Sequence, residues 1–267
     1  NENLESLDYY CFSGCSSLNN INLPNTLKSM GGYCFINCIS LKSIVIPPLV
    51  TEVGGFSGCS NLISVTLNEG LKTISGFGGC GFSTIVLPNS LENIGYMAFS
   101  SCKYLSSVII PSRVKVIDDN AFSSCTALKT INIPAGVTEI GVGAFGSCTG
   151  LTSVYAYPAA PVDMAFSGDG FYGVNKTGCN LYVPLGKKTA YASTQYWKDF
   201  SNIIEMPTAV KSLNADQIQI IVDPNQNSFK LSGIDGSCNV SVYDLKGNLL
   251  IDSEIKENES LQLSNLS

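Results

Sequence analysis

Eleven cysteines and not one histidine bound what the side chains of this sequence can do. Without His the commonest general base and metal ligand is missing, so Ser-His-Asp and Cys-His arrangements are excluded within the chain. Cysteine is left as the residue with reactive potential, and its spacing decides how to read it. Cys11/Cys15 and Cys34/Cys38 stand four apart, like halves of a zinc set, but His is absent and Cys11 and Cys34 occupy a small-residue slot of a repeat, so packing explains them more simply. Seven cysteines (Cys15, Cys38, Cys59, Cys80, Cys102, Cys125 and Cys148) each fall three residues behind a phenylalanine. Free cysteine is among the most buried residue types and packs as a small hydrophobe. A cysteine that recurs beside a recurring Phe therefore reads as a packing ladder of reduced thiols, against the disulfide framework that many cysteines would otherwise imply. Cys11 and Cys34 fill the small slot before Phe that Ala98, Ala121 and Ala144 fill elsewhere, while Cys179 and Cys238 lie outside the ladder.

Three other stretches carry chemical residue types. Gly186-Lys-Lys-Thr189 lacks the preceding glycine of a phosphate loop. Asp223-Pro-Asn-Gln-Asn227 alternates oxygen ligands like a calcium loop, without the following Gly or the distal Glu, and reads as a turn. Asp118-Asp119 are paired carboxylates with no second catalytic group, and read as a solvated turn. No acid–base or nucleophile–base pair stands out, so no enzyme, metal or cofactor is expected.

The elements that place these residues come from a repeat. Phe12, Phe35, Phe56, Phe77, Phe99, Phe122 and Phe145 are separated by 23, 21, 21, 22, 23 and 23 residues. A fixed period in the twenties is the mark of a leucine-rich-repeat solenoid, one coil of chain per repeat. Leu-x-x-Ile-x-Ile-Pro alternates apolar and polar and predicts a short parallel strand that Pro terminates. Val-x-x-Ile-Gly-x-x-Ala-Phe then rounds the other side in turns or short helical pieces. Two middle coils are shortened, at Gly54-Gly55-Phe56 and Ser75-Gly76-Phe77.

The recurring Ile-Pro-x-x-Val-x-x-Ile-Gly-x-x-Ala-Phe-x-x-Cys-x-x-Leu pattern resembles the BspA-type leucine-rich repeats of bacterial surface proteins. It departs from that pattern at Cys11, Cys34, Gly55 and Gly76 in the Ala position and at Asp118 for Gly. The resemblance implies surface display and binding or adhesion, and no catalysis. Seven repeats run to about residue 157, and a terminal cap occupies 158–206. In that cap a last strand at Leu181 and Val183 precedes a helix, and Trp197, Phe200 and Ile203 at helical spacing plug the stack.

Residues 207–267 read as short strands of a small β-sandwich-like module. Asn239-Val-Ser-Val-Tyr-Asp-Leu-Lys-Gly-Asn-Leu-Leu250, with a hairpin-type turn at Lys246-Gly-Asn, resembles the C-terminal sorting modules of type IX secretion in Gram-negative bacteria, although such modules usually run on into a further strand; an ordinary immunoglobulin-like end module is the alternative. The chain opens mid-repeat, with Leu4 and Leu7 where Val114 and Ile117 stand later, and is expected to be a mature or trimmed fragment.

Apolar content of 45% with 13% charged residues argues for a well-packed chain, and a net charge of −6 without a basic cluster disfavours nucleic acid. No apolar run approaches the ~20 residues of a membrane helix. The expected location is extracellular or on the outer surface of a Gram-negative bacterium, as a monomer.

If Ile131 and Ile133 point inward, Thr130 and Asn132 point out. Stacking gives one column of Asn20, Ser43, Ser64, Thr84, Ser107, Thr130 and Ser153, and a second of Asn22, Val45, Thr66, Val86, Ile109, Asn132 and Tyr155. Neither column holds a charge. Such residues suit strands in any case; they also make a neutral face for a protein partner, host or microbial. The expected partner-binding set is Ser64, Thr66, Thr84, Val86, Ser107, Ile109, Thr130, Asn132, Ser153 and Tyr155. A glycan held by the hydroxyls and Tyr155 is the alternative, and a structural spacer the third reading.

Overall fold

The computed structural model describes residues 3–164 and 168–206 in full, and the strands 219–223, 228–232, 237–243, 249–256 and 260–262 beyond them. The chain divides into two compact units, Asn1–Glu205 and Met206–Ser267, each described here by itself.

The first unit is a solenoid of about nine coils. Each coil contributes a strand to one face, where outward and inward residues alternate as the sequence pattern requires. Ile131 and Ile133 are buried between exposed Thr130 and Asn132. These strands pair in parallel: Ser43–Val45 with Ser64–Thr66, Thr84–Ile85 with Ser107–Val108, and Thr130–Ile133 with Ser153–Ala156, Asn180–Val183 and Asn202–Glu205. Proline ends the strand and opens a turn, its carbonyl accepting the N–H three residues on, as in Val114 to Pro111 and Val137 to Pro134. Coil three has Asn68 in place of Pro, and its amide bonds back to the Pro47 and Val50 carbonyls.

The opposite side carries no helix in the repeats among the described residues. Two-residue strands form a second parallel ladder there, Glu52–Val53, Thr73–Ile74, Asn93–Ile94, Val116–Ile117 and Glu139–Ile140, followed by turns. Of the two forms expected for this side, turns are the one adopted.

Between the two ladders runs the phenylalanine stack. Phe12 to Phe35, Phe35 to Phe56 and Phe56 to Phe77 are parallel at 5.0 Å between ring centroids. The step from Phe77 to Phe99 opens to 6.2 Å because Phe82, standing where other coils have Leu, wedges edge-on against both. The beat does not stop at Phe145. Phe171 stacks on it at 5.1 Å, so an eighth coil continues the array beyond the expected limit near 157. Its Phe lies 26 residues on and Val174 replaces Cys, which is why the period hides it.

The terminal cap also differs from expectation in its helices. Lys188–Ser193 is a single short α-helix, and Trp197–Asp199 is a 3-10 turn. Phe200 is extended and Ile203 lies in a strand, so the three apolar residues share no helical face. Trp197 still plugs the stack, tilted on Phe171 at 5.4 Å with its indole N–H on the Val162 carbonyl. Lys176, its side chain 11% exposed, ties the coil together by bonding Asp169 at 2.7 Å.

The second unit holds two antiparallel sheets. One orders Gln219–Asp223, Ser228–Ser232 and Ser260–Gln262; the other pairs Ser237–Tyr243 with Leu249–Lys256. Residues 224–227, the body of the calcium-loop-like stretch, lie outside the described residues, as does the Lys246-Gly-Asn turn.

Candidate functional site

The ladder cysteines are structural, and their geometry explains the residue type. Each thiol donates to the carbonyl of the Phe one coil back: Cys38 to Phe12, Cys59 to Phe35, Cys80 to Phe56, Cys102 to Phe77, Cys125 to Phe99 and Cys148 to Phe122, at 3.0–3.4 Å. That carbonyl already accepts the N–H of the cysteine in its own coil, so the thiol supplies its second donor. Burial pushes the Cys34, Cys59 and Cys102 thiols up to about 12, far from the thiolate that nucleophilic chemistry needs. Among the described residues only Cys11 and Cys15, on the first coil, are exposed cysteines. Cys179 is buried in the eighth coil and held at about 11 by the same desolvation.

Asp118 and Asp119 are half-buried rather than solvated. Asp118 accepts the Asp119 N–H, and Asp119 accepts the Val142 N–H of the next coil at 2.7 Å. They are consumed as turn caps. Among the described residues no group of three or more His, Cys, Asp and Glu is placed to hold a metal ion.

The strand face gathers the ten expected residues into two columns. Register pairs Thr66 with Val45, Thr84 with Ser107, Thr130 with Ser153 and Asn132 with Tyr155. The columns run two coils further than the sequence pattern indicates: Ser153 aligns with Asn180 and Asn202, and Tyr155 with Tyr182 and Ile204. The signal for Asn180 and Tyr182 is the alternation around Leu181 and Val183, hidden by the lengthened eighth coil. Tyr155 and Tyr182 stack face to face at 4.4 Å, and Asn180 bonds both the Tyr182 hydroxyl and Asn202. Toward the other end Val45, Val86 and Ile109 are 62%, 80% and 74% exposed. A shallow depression of about 190 Å³ lies between the first two coils at Asn20, Asn22, Ser43 and Val45.

The ladder on the other side has the opposite character. Lys28 and Glu5 pair at 2.9 Å, Lys72 and Glu92 at 2.6 Å, and Glu52 and Glu139 point out from their strands. The Lys72 ammonium holds the Glu92 carboxyl below its usual range. On the strand side the outward columns hold no charge, although exposed Lys42 and Lys129 stand just before the strands Ser43–Val45 and Thr130–Ile133.

Residues 1–77 and 75–160 match the BspA type leucine rich repeat region. This chain belongs to the BspA-type leucine-rich-repeat family. Solved structures similar to it include a leucine-rich repeat protein from Bacteroides ovatus, 26% identical over 76% of this chain with a TM-score of 0.43. A leucine rich cell surface protein from Faecalibacterium prausnitzii is 20% identical over 77% of this chain and 70% of its own, with a TM-score of 0.42. The pneumococcal vaccine antigen PcpA is 18% identical over 77% of this chain and 60% of its own, with a TM-score of 0.49. The chain spans 64% of the length of the Bacteroides ovatus protein. No curated protein matches it. Among the described residues of this BspA-type repeat protein, no helix is long and apolar enough to cross a membrane.

Proposed function

We propose that this chain is a non-enzymatic bacterial surface protein whose strand face docks a partner protein, of the host or of another microbe. The observation that carries the reading is the contrast between two sides of one solenoid. Two columns of outward residues hold no charge from coil one to coil nine, and present Val45, Val86 and Ile109 to water, while ion pairs sit on the opposite ladder. Single exposed apolar side chains are ordinary, but a continuous uncharged surface that carries several of them is characteristic of the core of a protein interface. The Tyr155–Tyr182 stack supports a protein over a glycan, because each ring spends one face on the other and leaves less for a sugar. Under this reading the second unit, 206–267, is a separate sorting or anchoring module of an exported protein.

Val86→Glu combined with Ile109→Glu tests the face. Both side chains are mostly exposed, so the fold tolerates the change. Cross-linking capture from host and microbial surface extracts is expected to be lost with an unchanged melting temperature. Capture that persists, or a glycan array that retains signal in place of protein capture, refutes the reading. Antibody labelling of intact cells tests surface display separately.

A further inference from the structure

The slot before the stacked Phe holds Ala98, Ala121 and Ala144 in coils five to seven, and Gly55 and Gly76 in coils three and four. Of these seven coils only the first two, neighbours in the stack, place cysteine there, as Cys11 and Cys34. Packing asks for a small residue at this point, and Ala supplies it elsewhere. Two thiols on adjacent coils are more than packing asks.

The register sets them side by side. The Phe12 N–H bonds the Cys34 carbonyl at 2.8 Å, the rung of a parallel ladder that puts Cys11 opposite Cys34. The rings on either side agree: Tyr10 stacks on Tyr33 at 5.3 Å and Phe12 on Phe35 at 5.0 Å. A coil step of ~4.8 Å falls within the ~4.4–6.8 Å between Cα atoms that a disulfide spans. Both cysteines are free, Cys11 exposed and Cys34 fully buried. After burial, the charge of Cys11 is the next largest cause that raises the Cys34 thiol.

We propose that Cys11 and Cys34 form a redox pair, which closes to a disulfide and clips coil one to coil two when the chain meets a disulfide oxidant. Exposure assigns the order of events. The Cys11 thiolate attacks one sulfur of the oxidant, a bond forms between them, and the first leaving thiolate takes up a proton. Cys34 then loses its proton to water and attacks the Cys11 sulfur, which expels the second thiolate. Two protein thiols are oxidised and one disulfide is reduced to two thiols, so atoms and electrons balance. Burial holds the Cys34 thiol at about 12, so closure is the slower step and quickens as pH rises toward that value.

Cys15, the other exposed cysteine, also has a cysteine one coil on, Cys38. That thiol is committed: it donates to the Phe12 carbonyl at 3.1 Å, as the Cys59 thiol does to Phe35. Oxidising it would take a donor from a carbonyl that every later ladder cysteine supplies in the same way. Among the described residues neither Cys11 nor Cys34 donates such a bond, so their closure forfeits none. The four cysteines do not form a group placed to hold a metal ion. An oxidising compartment follows from the reading of an exported protein, but the pairing rests on the coils alone and is tested without it.

The full chain is incubated with glutathione disulfide at pH 8.5, its remaining thiols are alkylated in denaturant, and disulfide-linked peptides are sequenced by tandem mass spectrometry. The expected result is the loss of two alkylatable thiols and a Cys11–Cys34 linkage, kept in Cys15→Ala and lost in Cys11→Ala and Cys34→Ala. Both of the latter variants place in the slot the residue that coils five to seven use, so they fold. Hydrogen exchange of the Phe12 and Gly14 N–H groups, which bond coil two, is expected to slow on oxidation of the native chain and not of Cys11→Ala. The proposal is overturned by a Cys15–Cys38 or Cys11–Cys15 linkage in its place, by a glutathione adduct on Cys11 that never resolves, or by exchange that oxidation leaves unchanged.

Discussion

Phe122 shows what a single position contributes. Its ring is fully buried, 5.2 Å from Phe99 and 5.5 Å from Phe145, and its carbonyl takes two donors, the Cys125 N–H and the Cys148 thiol. Phe122→Ala removes both ring contacts at once. The expected cost is about 3–5 kcal/mol, read as a lower urea midpoint, because the coils above and below cannot collapse into the gap without breaking register. A midpoint unchanged by the substitution contradicts the stacked register. The cysteine beside it is chosen for size and for its donor together: Ala would fit the space but leave the Phe carbonyl one donor short.

At the scale of elements, the cap is the part most exposed to failure. A solenoid's last coil must cover an apolar end. Trp197 does so with its ring on Phe171 and Tyr191, and with an indole N–H that satisfies the Val162 carbonyl. Trp197→Ala costs the ring's burial and leaves that carbonyl unpaired. We expect about 3–5 kcal/mol of destabilisation, and association visible by size-exclusion chromatography as the Phe171 ring becomes accessible. A variant that stays monomeric and melts normally would place the covering role elsewhere in the cap, with Tyr191 and Phe200.

The buried cysteines act on the molecule as a whole. Cys59 and Cys102 of the ladder, and Cys34 in the small slot before Phe35, are held at about 12 against an ordinary value of 9.0, with desolvation the chief cause. Cys148 beside it and burial push Cys125 up as well. Below the unfolded value both states keep the protons and stability is full. Above it the unfolded chain releases protons that the folded chain retains, so stability falls from about pH 9 toward the folded value near 12. Several thiols titrating together make the fall steep. Thermal melts across this range should show it, and Cys59→Ala with Cys102→Ala should flatten the slope; an equal slope in the double variant assigns the effect to other groups.

The period by itself determined the solenoid, the inward Phe and Cys, and the two outward columns. These follow from local alternation and from the rule that one coil cannot bury its own apolar side. Residue order could not decide what depends on neighbours three coils apart. The 26-residue step to Phe171 breaks the period while the ring still stacks, because the stack reads ring position and not sequence distance. Trp197, Phe200 and Ile203 mimic a helical face, yet packing against the open end sends them into a 3-10 turn, an extended residue and a strand. Asp118-Asp119 look solvated until the next coil brings the Val142 N–H to them. The glycine-poor and glycine-rich corners of coils two to five are plain in the sequence as short steps. What they do to the surface is decided by stacking alone, since only the solenoid sets Tyr33 of coil two and Met97 of coil five on either side of the two shortened coils.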